Sequence, residues 1–128
     1  MKSTPFRLLL AGSSLIMALG GPLHAAAFNK AAAVLATANL PPFYTGSFKA
    51  LWLADSATLV TLALAFGVIA FRPTMASRPV VLLLALIPAV TAGLIYHFVG
   101  GFFAAHLLMA AALAALAAGL LFPTAQPS

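Results

Sequence analysis

Apolar positions in this chain come in long runs, not in alternating or amphipathic stripes. Four runs, residues 6–28, 48–71, 80–99 and 102–122, reach the length of about 20 mainly apolar residues that a spanning helix needs. A backbone that crosses hydrocarbon must satisfy its own hydrogen bonds, so each run is predicted to be helical. Period-2 alternation is absent, which argues against a transmembrane barrel. The pattern predicts an all-α, integral membrane, up-down four-helix bundle forming a single domain over residues 1–128.

Turn chemistry punctuates the runs. Arg72, Pro73, Arg78 and Pro79 mark a connection that the second and third helices cannot run through. Gly100-Gly101 makes a tight link between the third and fourth. Residues 40–47 read as a loop into the second helix, with Ser47 as its N-cap. The alanine-rich segment 29–39 reads as a short helix lying in the interface. The tail 123–128 is expected to be disordered.

Basic residues sit at the ends of the runs and favour the cytoplasmic side of a membrane. Lys2, Arg7, Arg72 and Arg78 place both termini and the second connection in the cytoplasm. Lys30 and Lys49 on the other side weaken that bias. Tyr44 and Trp52 suit the outer interface as aromatic anchors. The same N-terminal segment also resembles a secretory signal peptide: an apolar run from Leu8 to Leu19, the breaker Gly20-Gly21-Pro22, then Ala25-Ala26-Ala27. Cleavage near Ala27 would leave three helices. Retention is preferred, because the run continues to Phe28 and is long enough to span.

Composition reinforces the lipid setting: 64% of the 128 residues are hydrophobic and 5% are charged, against about 25% charged in a soluble domain. The net charge of +5 comes from scattered single cations, without the basic stripe of a nucleic-acid binder. There is no cysteine, so disulfides, thiolate metal sites and iron–sulfur clusters are excluded. Abundant alanine and scarce lysine suit a bacterium with a GC-rich genome, and hence its inner membrane.

The candidate chemistry lies in the few ionisable groups inside the runs, which in a membrane are functional hypotheses by default. The single acidic side chain, Asp55, and the three histidines, His24, His97 and His106, fall one in each predicted helix. In an up-down bundle all four lie towards the outer ends. Each also heads or ends a row of residues four apart: Gly12, Ile16, Gly20, His24; Asp55, Leu59, Ala63, Gly67; Ala85, Ala89, Gly93, His97; His106, Ala110, Ala114, Ala118. Small residues mark faces where membrane helices approach closely, so the four are expected to converge.

Three imidazoles and a carboxylate would suit a transition metal. Two histidines on facing helices would suit a haem, and Asp55 beside a histidine would suit a proton. The plainer alternatives are that Asp55 caps a shorter second helix starting at Ser56, that His97 beside Tyr96 is an interfacial anchor, and that His106 bonds a neighbouring carbonyl. Pro88 is expected to kink the third helix. A phosphate loop, a nucleotide fingerprint and a carboxylate pair are all missing, so no reaction is named. The expected surroundings are lipid, with other membrane subunits or further copies of the chain as partners and no nucleic acid. A non-catalytic accessory subunit is the main alternative to a metal, haem or proton site. An oligomeric small-molecule transporter is a third.

Overall fold

The computed structural model of the protein describes residues 4–122; the expected disordered tail lies outside the described residues. Five α-helices and one 3-10 turn follow in order: α1 (Thr4–Ala26), α2 (Phe28–Thr37), α3 (Pro42–Phe71), the turn Pro73–Met75, α4 (Arg78–Phe98) and α5 (Phe103–Leu120). Strands are absent among the described residues. Helices α1, α3, α4 and α5 are each long and apolar enough to cross a membrane, which makes the chain a multi-pass membrane protein by length and composition. The short helix expected over 29–39 is α2.

Local chemistry accounts for the boundaries. Gly20-Gly21-Pro22 does not end α1, which continues to Ala26; a proline one turn from a helix end removes a single ladder bond. Only Ala27 separates α1 from α2. Asn39 ends the following turn at φ 51°, a left-handed conformation that asparagine tolerates better than most residues. The expected loop over 40–47 and the Ser47 cap are corrected: α3 begins at Pro42, with Pro41 as its N-cap. Proline suits the first helical turn because its missing N–H has no partner there anyway. At 30 residues, α3 is about 45 Å long and outreaches a hydrocarbon core of about 30 Å. Asp55 therefore lies well inside α3 and caps nothing. At the other end of the bundle, Gly100 adopts φ +96° and its N–H bonds the Ile95 carbonyl. That left-handed cap ends α4 and reverses the chain within a few residues.

The helices pack in the spatial order α3, α1, α5, α4. Helix α1 lies between α3 and α5, α4 packs along α5, and α3 and α4 touch only slightly. The core combines Phe6, Leu10 and Met17 of α1 with Leu62 and Phe66 of α3 and the alanine face of α5. Two serines tie α1 to its neighbours: Ser13 Oγ donates to the Ala111 carbonyl at 2.8 Å and Ser14 Oγ to the Ala63 carbonyl at 2.6 Å. Gly21 lets α1 approach α3 closely; a Cβ there would stand 2.7 Å from Val60 Cγ2 and 3.1 Å from the Ser56 carbonyl oxygen. The outward surface is apolar, with Leu8, Leu15, Leu64, Leu83 and Phe103 all exposed. Such a surface suits lipid as its solvent.

Candidate functional site

Where the last turn of α1 crosses the middle of α3, four side chains meet. His24, in the last turn of α1, stacks on Trp52 of α3 with ring centroids 4.3 Å apart and planes inclined by 10°. The Trp52 indole N–H donates to the His24 carbonyl at 2.9 Å, one of the carbonyls at a helix end that seek an outside donor. His24 Nδ1 lies 2.9 Å from Ser56 Oγ and 3.8 Å from the Asp55 carboxylate. Trp52, Asp55 and Ser56 are spaced i, i+3, i+4, so one face of α3 presents all three.

The hydroxyl of Ser56 gives this cluster a definite proton logic. It has one hydrogen and two lone pairs, and two partners: His24 Nδ1 and, at 3.1 Å, the Trp52 carbonyl. With Nδ1 unprotonated, the hydroxyl can donate to the ring. With Nδ1 protonated, the ring donates to Ser56 Oγ and the hydroxyl turns to the Trp52 carbonyl. Both hydrogen-bond patterns are available without moving a heavy atom. An imidazolium would also face a carboxylate and an indole π-face, both suited to a cation. His24 and Asp55 are each about one third exposed, 32% and 33%, so neither is sealed in the protein core.

No protein-family model, curated protein or solved structure matches the chain. Function is therefore read from these residues alone.

The four ionisable residues do not gather as the sequence suggests. His24 and Asp55 come together; His97 and His106 stand apart from them. No group of three or more His, Cys, Asp or Glu side chains is placed to hold a metal ion among the described residues. The order of packing explains this. Because α1 separates α3 from α5, and α3 scarcely meets α4, the His97–His106 end of α4 and α5 forms its own corner. Depth also differs. Ser13 and Ala111 are level, being hydrogen-bonded. His24 is eleven residues outward of Ser13 and His106 five outward of Ala111, which puts them about 16 Å and about 8 Å from that level.

Orientation is the third factor. The face of α1 in the core is Phe6, Leu10, Ser13, Met17, Gly21, not the expected row Gly12, Ile16, Gly20, His24. A Cβ on Gly12, Gly20 or Gly93 would meet nothing. On α3 the expected residues Leu59 and Ala63 are buried.

His106 bonds the Tyr96 hydroxyl through Nδ1, and the two rings close over Gly101, where a Cβ would stand 3.4 Å from His106 Cε1. This pair clasps the α4–α5 turn. His97 is exposed and lies edge-on to its neighbour Phe98. Trp52, Ser56 and Tyr96 are partners that the sequence reading passed over as functional groups. For Trp52 and Ser56 the signal was present in the i, i+3, i+4 spacing of Trp52, Asp55 and Ser56 around the single acid.

Proposed function

We propose that the protein is a multi-pass membrane protein whose working site is the His24–Asp55 pair, and that this pair takes up and releases a proton at the outer face. The observation that carries the reading is the geometry at His24 Nδ1. The chain's one acidic side chain and a serine hydroxyl with a second acceptor both lie beside the same imidazole nitrogen. Orientation is part of the proposal. Arg7, Arg72 and Arg78 belong to the cytoplasmic side of a bacterial inner membrane, so the His24 end faces outward with both termini inside.

Nitrogen-15 NMR of imidazole-labelled protein in lipid nanodiscs tests the reading. The His24 ring nitrogens should pass from a neutral to a protonated pattern as pH is lowered across the range in which the protein stays folded. Ser56→Ala should alter the neutral tautomer ratio, because it removes the hydroxyl that serves either form. A His24 signal that keeps one protonation state across that range would overturn the proposal.

A second reading, the accessory subunit, is supported by the open faces around Gly12, Gly20 and Gly93, where no described residue comes within 4 Å of an added Cβ. Close helix packing by a partner would use such faces. Under this reading Gly93→Leu weakens association with a partner in crosslinked membranes, while Asp55→Asn does not.

A further inference from the structure

Helix α2 buries none of its residues and leaves a groove of about 470 Å3 between itself and the first turns of α3. Ala31, Val34 and Leu35 form one wall, Phe48 and Trp52 the other, and Lys30 stands at the edge. The residues from α2 are spaced i, i+1, i+4, i+5, so one side of the helix faces the groove. Its volume is within the range of small-molecule sites, about 300–1,000 Å3, yet its walls are almost wholly hydrocarbon. The indole N–H of Trp52 is already committed to the His24 carbonyl. An occupant can be held here only by apolar contact, with one charged group at one end.

The charge is the second observation. Lys30 is exposed, and the only acidic side chain in the sequence, Asp55, faces His24. The counter-ion for Lys30 must therefore come from outside the chain's side chains. An apolar helix face edged by a lysine suits headgroup depth, and α2 carries both on its groove side. From the apolar walls, the exposed lysine at their edge and this depth, we infer that the groove seats an acyl chain of an anionic phospholipid, with its phosphate on Lys30. This inference needs the membrane setting but not the proton reading, so either can fail alone.

The single tryptophan of the chain lines the groove and reports on it. Protein would be placed in bilayers of fixed phosphatidylglycerol and phosphatidylcholine content, with bromine on the acyl chains of only one lipid at a time. Brominated phosphatidylglycerol should quench Trp52 as though bound about five-fold more tightly than brominated phosphatidylcholine, the scale of one lysine near an anionic surface. Lys30→Gln should reduce that preference to none, whereas Arg72→Gln at the opposite end should leave it intact. Ala31→Phe, which fills the groove, should weaken quenching by both lipids. Circular dichroism checks that the variants keep their helices. Should Ala31→Phe misfold, Lys30→Gln alone still decides, because a surface glutamine leaves the fold untouched. Equal quenching by the two lipids in the natural sequence, or a preference that survives Lys30→Gln, would overturn the inference.

Discussion

Replacing Gly21 by alanine should loosen the joint that presents His24 to α3. The added Cβ would lie 2.7 Å from Val60 Cγ2, 3.1 Å from the Ser56 carbonyl oxygen and 3.3 Å from the Val60 nitrogen. Carbon atoms pack best at about 3.5–4.0 Å, so α1 and α3 must separate by several tenths of an ångström or more. Two of the three atoms are backbone and cannot rotate aside. Overpacking of this kind costs about 1–3 kcal/mol, which is roughly a 5- to 150-fold change in the folded fraction. Gly20→Ala is the control, since its Cβ meets nothing. Adding Val60→Ala to Gly21→Ala removes the closest contact and leaves the backbone ones, so rescue should be partial. Thermal unfolding in a mild detergent, followed by the fraction remaining monodisperse, measures all four proteins. If Gly21→Ala and Gly20→Ala unfold alike, the close approach of α1 to α3 is wrong.

Three other outcomes follow from the same packing. Ser13→Ala removes the buried bond to the Ala111 carbonyl and should cost about 0.6 kcal/mol, the average for interhelical hydrogen bonds in membranes, measurable by the same unfolding assay; a loss several times larger would mean the site does more than join α1 to α5. The protein that accumulates in the membrane should keep α1, because Phe6, Leu10, Ser13 and Met17 are all at or below 1% exposure in the core; an intact mass corresponding to cleavage near Ala27 would refute this. Elemental analysis of untagged protein should find no stoichiometric transition metal, since His97 and His106 are not placed with His24 and Asp55; near-stoichiometric metal lost in His97→Ala/His106→Ala would contradict the helix arrangement.

Most of the fold was legible because hydrophobic run length is a strong signal: the four long apolar helices follow from it directly, and the short α2 from the alanine-rich segment between two of them. The start of α3 was misplaced because Pro41-Pro42 reads as a breaker, whereas a proline at the first helical position starts a helix as readily as it ends one. The site was legible only in half. His24 and Asp55 could be singled out as ionisable groups in apolar runs, but their convergence with His97 and His106 depended on which helices are neighbours. Nothing in a chain so rich in alanine specifies that α1 sits between α3 and α5, since small-residue rows can be traced on nearly every face. The real packing face of α1 carries Phe6, Leu10 and Met17, which share one core with Leu62 and Phe66 of α3 and with the alanines of α5. Which neighbours a face has is invisible when each helix is read alone.

The central claim, a proton held at His24 against Trp52, is tested most directly by the emission of the single tryptophan. A stacked imidazolium quenches indole more strongly than a neutral imidazole, so Trp52 emission in nanodiscs should fall as pH is lowered from about 8 to about 5. His24→Gln should abolish that dependence, and His97→Gln and His106→Gln should leave it unchanged. A titration that persists in His24→Gln, or a flat profile in the natural sequence, would contradict the account.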